Sequence, residues 1–131
     1  MGGVQVACAL IERGGKVFVA RRSHTMTLPL KWEFPGGKIE PGETAVDALC
    51  REITEELAVT VEVIGTLPPT IHHYPTLTVT LHPFRCRLTE GEITLSEHLE
   101  GRWVHPADLS TLDLAVADRP VVESYLVSIR N

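Results

Sequence analysis

The sequence predicts an α/β fold, with helices on both faces of a mixed sheet. Three observations carry that expectation. Segments of period two stand both before and after one strongly amphipathic helical stretch, Thr44 to Leu57. A second apolar stripe at helical spacing closes the chain, through Val122, Tyr125, Leu126 and Ile129. Glycine and proline signals separate these segments, with no repeat and no linker between them. At 131 residues the chain is long enough for one core and too short for two, so residues 1–131 are expected to form a single domain.

The elements follow in order. Val4, Val6, Cys8 and Leu10 alternate with Gln5, Ala7, Ala9 and Ile11. Both sets are largely apolar, which predicts a central strand. Arg13-Gly14-Gly15 is a turn, and Val17 to Ala20 returns as its hairpin partner. Ser23 to Lys31 contains Pro29 and no periodicity, so it reads as a rim loop. After the long helix, Val59 to Ile64 alternates as a strand until Pro68-Pro69 breaks it. Leu77, Val79 and Leu81 alternate with Thr78, Thr80 and His82 in another. Pro83 predicts that this strand continues only as an edge or a bulge, resuming over Phe84 to Leu88. Glu90-Gly91 is a turn, Trp103-Val104 a short strand, and Pro106 to Leu109 a helical turn. Asp118 reads as the N-cap of the closing helix.

The chemistry concentrates between Trp32 and Val59, WEFPGGKIEPGETAVDALCREITEELAV. Pro35-Gly36-Gly37 is a turn that lets main-chain groups approach a ligand. Thr44 with Asp47 resembles a capping box. At about 100° per residue, Val46, Leu49, Ile53 and Leu57 make one apolar stripe. Glu52, Glu55 and Glu56 share an adjoining arc, under Ala45 and Ala48, and Arg51 beside it can reach Glu43 or Glu55. Three crowded carboxylates repel one another unless a cation sits among them. Hard divalent cations take oxygen ligands, and Mg²⁺ binds through a few carboxylates plus substrate phosphates. On a helix without the preceding double glycine, the same glutamates would read as a solvated face.

From Gly37 the spacing is G-x5-E-x7-R-E-I-x-E-E-x-A-V, through Glu43, Arg51, Glu52, Glu55, Glu56, Ala58 and Val59. This resembles the Nudix box, G-x5-E-x7-R-E-U-x-E-E-x-G-U with U aliphatic. One position departs: Ala58 stands where the family has glycine, at the end of the helix. The resemblance extends to the first hairpin, Arg22, the run Lys31 to Glu43, Glu97 six residues before Trp103, and Asp118-Arg119-Pro120, which look like the MutT-type subgroup.

The resemblance implies a Nudix fold, an α/β/α sandwich with a mixed, curved sheet. It implies Mg²⁺- or Mn²⁺-dependent hydrolysis of a nucleoside triphosphate to the monophosphate and pyrophosphate. The family's metal ligands fall on Glu52, Glu55, Glu56 and the Gly36 carbonyl, with Glu97 added from the later loop. Glu52 and Glu97 are both candidates to take the proton of the attacking water. Arg22, the Glu33-Phe34-Pro35-Gly36 run and Asp118 would meet the nucleotide, and Gly37, Glu43 and Arg51 would support the site. Arg22 has a plainer reading as a strand-end charge, Phe34 as a core residue, and Asp118 as a helix cap. The MutT type implies 8-oxo-dGTP as substrate, in nucleotide-pool sanitising that protects DNA replication from mutation. Asp118 replaces the asparagine of that subgroup, Thr27 replaces a histidine, and Thr76-Leu77 stands where charged residues are common. CTP, dCTP or 5-methyl-dCTP is therefore the alternative substrate. A non-catalytic nucleotide sensor is the third reading, and it would be expected to lose box glutamates, all of which are present.

Composition sets outer limits. A net charge of −5 argues against binding a nucleic-acid polymer. There is no apolar run long enough to cross a membrane and no signal-peptide layout, so a cytoplasmic protein is expected, monomeric or weakly dimeric. Three scattered cysteines, Cys8, Cys50 and Cys86, read as reduced and mostly buried thiols. The six histidines show no zinc-ligand spacing; His72 and His73 would face opposite sides of a strand.

Overall fold

The computed structural model describes residues 3–130. Among the described residues, eight strands and two α-helices follow in chain order: β1 Gly3–Arg13, β2 Lys16–Arg21, β3 Trp32–Glu33, β4 Gly36–Lys38, α1 Ala45–Leu57, β5 Thr60–Thr66, β6 Thr70–His73, β7 Thr78–Glu90, β8 Glu100–Val104 and α2 Arg119–Ser128. Short 3-10 helices span Pro106–Thr111 and Val116–Asp118.

The mixed sheet is built on β1. It pairs in parallel with β7 from Gly3↔Thr78 to Glu12↔Arg87. On its other side β1 meets β2 only beside their turn, at Glu12↔Val17 and Arg13↔Lys16. The two strands then part. The Trp32–Lys38 run fills the gap: β3 pairs with the end of β2, and β4 with Val6, Ala7 and Cys8 of β1. The parting is what opens a site between two halves of the sheet. Nothing in the residue pattern signals β3 or β4, because strands this short carry no period.

The alternation on β1 sorts its side chains onto two cores. Cys8 and Leu10 join Val17, Val19, Val121, Val122 and Tyr125 on the α2 side. Ala7, Ala9 and Ile11 join Leu49, Ile53, Leu57 and Cys86 on the α1 side. The sheet is thus covered on both faces, as the sequence predicts. Each fully buried leucine or isoleucine contributes about 1.5–3 kcal/mol.

Four expectations need correction. Val46 is 40% exposed and outside the core, and Ala48 takes the fourth buried position on α1. The Thr44 hydroxyl accepts from Asp47 N at 3.1 Å, but no reciprocal bond completes the box. β7 is one long internal strand and runs straight through Pro83. The reason lies next to it: β6 covers β7 up to Leu81 and β5 covers it from Phe84, so the missing N–H of Pro83 falls at the Pro68-Pro69 gap between them. The Pro83 carbonyl on that side is still met, by Leu67 N at 3.1 Å. Asp118 precedes α2, but its side chain makes no capping bond.

Ala58 ends α1 at φ 58° and ψ 34°, and its N–H reaches Thr54 O at 3.0 Å. A Cβ in this left-handed conformation costs roughly 1–2 kcal/mol, part of which glycine returns through its freer unfolded chain. Ala58→Gly is expected to raise stability by about 0.5–1 kcal/mol in urea unfolding. A neutral or negative change would mean the strain is absorbed elsewhere.

Candidate active site

The site forms where β4 lies against α1. Gly37 sits so close to α1 that a Cβ on it would stand 2.3 Å from the Glu52 carboxyl carbon. Arg51 supports the same corner. Its Nε and Nη2 donate to Glu43 at 2.7 and 2.9 Å, its Nη1 to Glu52 at 2.9 Å, and Nη2 also to Lys38 O at 3.1 Å. The Arg51 guanidinium, with the Glu40 amide, holds the Glu43 carboxyl down to about 2. One arginine thereby ties the loop before α1 to the helix and fixes the Glu52 carboxylate.

Glu56 is half-buried, with its Oε1 shut off from solvent. Its Oε1 has no hydrogen-bond partner. Burial pushes its carboxyl up to about 9, helped by the charge of Glu33 and by a hydrogen bond to Glu52, with the Gly36 amide opposing. A carboxyl so placed stays protonated at neutral pH until a cation replaces the proton.

The arc of three glutamates does not stay together. Glu52 and Glu56 face one another, but Glu55 is 59% exposed in its side chain and leans to Arg51 at 3.6 Å. Glu97 is exposed and makes no hydrogen bond or ion pair among the described residues. No three acidic, histidine or cysteine side chains converge at ligand geometry among the described residues. The donor set still fits a hard divalent cation. Its members are oxygens, one carboxyl oxygen is orphaned, and Glu33 and Glu52 both bear on the Glu56 carboxyl.

A second group of residues lies beyond β3. Arg22 Nη1 donates to Glu33 Oε1 at 2.8 Å, and Arg22 also holds Thr27 through its hydroxyl at 2.8 Å and through its carbonyl. The rim loop is thus tied down by the arginine. Asp118 Oδ2 accepts from the Phe34 amide at 2.8 Å. Burial raises the Asp118 carboxyl to about 8, helped by Glu33 and opposed by the Phe34 bond and by Arg22. Protonated, it both donates and accepts, much as an amide does. Tyr74 stands near enough to feel the charges of Asp118 and Arg22, a neighbour that sequence spacing did not suggest.

Two residues of the expected nucleotide-binding run have internal side chains, which leaves their main-chain groups as the part a nucleotide could meet. Phe34 is 3% exposed and belongs to the core on the α2 side, so its ring is not presented to a base. Pro35 is fully buried, and its carbonyl accepts from Ala9 N at 2.8 Å. His98, which sequence reasoning weighed only as a zinc ligand, is buried against Glu33 at 2.8 Å. Nothing in the sequence links two residues so far apart.

Comparison with known proteins agrees with this geometry. The NUDIX domain family matches residues 6–124. The CTP pyrophosphohydrolase of Escherichia coli K12 is 32% identical over 123 residues, covering 94% of this chain and 91% of the relative. The 8-oxo-dGTP diphosphatase of the same strain is 32% identical over 123 residues, covering 93% and 95%. The crystal structure of a MutT NUDIX hydrolase from Burkholderia pseudomallei superposes with a TM-score of 0.85 at 26% identity, covering 95% of this chain and 98% of that one. With the box glutamates on α1, the double glycine packed against them, and a family match across most of its length, this chain belongs to the Nudix hydrolases.

Proposed function

We propose that the protein hydrolyses a (deoxy)nucleoside triphosphate to the monophosphate and pyrophosphate, with 8-oxo-dGTP as the preferred substrate. The observation that carries the reaction class is the buried Glu56 oxygen without a partner, beside a Glu52 carboxylate fixed by Arg51. Glu52, Glu56 and the Gly36 carbonyl would hold Mg²⁺ or Mn²⁺, and Glu55 and Glu97 would complete the set on turning inward. When bound, such an ion neutralises phosphate oxygens and makes a water more acidic.

The chain's own residues do the rest. Glu52 is the first candidate to take the proton of the attacking water, because its position is fixed from two sides, by Arg51 and by Gly37. Glu97 is the second. The water oxygen bonds to an internal phosphorus as the bridge between the α- and β-phosphates breaks, the bridging oxygen leaving with the phosphorus that was not attacked, which yields monophosphate and pyrophosphate. Arg22 offers its charge to the phosphates. Asp118 reads the edge of the base, with a free oxygen beside the one that Phe34 N occupies.

A cytidine nucleotide is the second reading, favoured by the relative named for CTP and by aspartate at residue 118. Both readings need an amide-like pattern from Asp118, which the raised carboxyl supplies. No helix is long and apolar enough to cross a membrane among the described residues, in keeping with a cytoplasmic enzyme acting on the nucleotide pool.

The test is pyrophosphate release over a nucleotide panel with Mg²⁺. Oxidised guanine nucleotides are expected to give the highest kcat/KM. Cytidine nucleotides far above them would replace the first substrate by the second. Glu52→Gln is expected to lower kcat by about 10²–10⁴-fold on the best substrate. Unchanged turnover in that variant would remove the assigned chemistry.

A further inference from the structure

The wall of the site contains a histidine that the reaction does not use. The His98 side chain is 2% exposed, and its Nε2 lies 2.8 Å from Glu33 Oε2. A carboxylate accepts and does not donate, so Nε2 carries the proton. Nδ1 is buried with no partner. Leaving a ring nitrogen unmet is costly, so the bond at the other nitrogen must offset it.

Glu33 does not end the chain of contacts. Its other oxygen accepts from Arg22 Nη1 at 2.8 Å, and Arg22 goes on to hold Thr27 in the rim loop. One line of donors and acceptors joins the loop before β8, strand β3, the end of β2 and the rim loop. The backbone around His98 is pinned as well: Ser96 N donates to Glu56 O at 3.1 Å and Leu99 N to Arg21 O at 2.9 Å. Glu33 stands where its charge is felt by both Glu56 and Asp118. The donors on its two oxygens, Arg22 and His98, hold the Glu33 carboxylate in place from both sides.

We infer that His98 is a positioning residue for nucleotide binding: its Nε2–H fixes Glu33, and Glu33 aims the Arg22 guanidinium at the triphosphate. The inference rests on the reading of Arg22 as a phosphate contact. His98 itself touches no substrate.

The experiment has two arms, one of which needs no substrate. Heteronuclear NMR of the imidazole nitrogens is expected to show Nε2 protonated and Nδ1 bare. The signal of the Arg22 Nη1 protons, which Glu33 accepts, is expected to exchange slowly with water, to be lost in His98→Ala, and to return in His98→Gln, whose amide replaces the donor. In the second arm, calorimetry measures a non-hydrolysable triphosphate analogue with Mg²⁺. His98→Ala is expected to weaken its binding roughly tenfold, and His98→Gln by less than about threefold. Added to Arg22→Ala, the alanine change at His98 is expected to alter affinity by less than about twofold, since the two act through one contact.

A proton on Nδ1, an Arg22 signal indifferent to His98→Ala, or an equal loss with and without Arg22→Ala would overturn the inference. If the first arm succeeds and the unaltered protein binds no analogue, the nucleotide reading fails and the proposed role fails with it, while the tether itself stands. A merely structural histidine would lower the melting temperature without the non-additivity.

Discussion

Mg²⁺ is expected to stabilise the protein far more at about pH 8.5 than at about pH 6. The cause of the ion effect is the Glu56 carboxyl, and Asp118 adds to the ion-free profile only. In the ion-free protein Glu56 is raised from 4.5 to about 9 and Asp118 from 3.8 to about 8. The folded state therefore keeps protons that the unfolded chain gives up. That stabilisation is complete below the unfolded values and is lost as pH rises toward the folded ones. Each group contributes a slope of at most about 1.4 kcal/mol per pH unit within its window. Stability without the ion should thus fall between about pH 4.5 and pH 9.

A divalent ion takes the place of the Glu56 proton, so its affinity rises by up to tenfold per pH unit over the same window. The gain in melting temperature from about 10 mM Mg²⁺ should accordingly grow by up to roughly 10 °C from the lower pH to the higher. Calorimetry in buffers of different ionisation heat should count about one proton released per ion near pH 7. Asp118→Asn should flatten the ion-free profile and leave the Mg²⁺ dependence in place. A Mg²⁺ effect of equal size at both pH values would show that Glu56 holds no proton for the ion to displace.

Much of this was legible in the sequence, and the exceptions share a cause. The β1 alternation, the first hairpin and the Leu49, Ile53 and Leu57 stripe are local periods, and all three took their expected places. The glutamate spacing is equally local, and it identified the family. What the period does not carry is partner geometry. Pro83 reads as a strand breaker because its missing N–H counts against it, yet the flanking strands β5 and β6 leave a gap at that point. Val46 fits the apolar arc by angle, but it lies in the first turn of α1, where the sheet no longer covers the helix. Asp118 has the residue type of a cap, and a tertiary donor, the Phe34 amide, claims its oxygen. The His98–Glu33–Arg22 chain joins segments far apart in sequence, so no spacing rule foretells it.

The two adjacent glycines of β4, which the sequence reads as a turn, are expected to fail in different ways when each is given a methyl group. A Cβ on Gly36 would stand 2.0 Å from Ala7 O and 2.7 Å from Cys8 Cα. Both are backbone atoms of the central strand and cannot retreat without parting β4 from β1. Gly36→Ala should therefore destabilise by about 3 kcal/mol or more, with β4 detached from the sheet. A Cβ on Gly37 would instead meet the Glu52 carboxyl, at 2.3 to 2.6 Å. Those atoms are the far end of a side chain, so the helix need not move. The carboxylate must swing, and Arg51 keeps its two bonds to Glu43. Gly37→Ala should hence melt within a few degrees of the parent while kcat falls by about a hundredfold, the scale of a displacement near 1 Å. Circular dichroism melts and pyrophosphate release, run on both variants, separate the two outcomes. A folded Gly37→Ala with full turnover would mean that Glu52 acts from a position other than the one Arg51 holds.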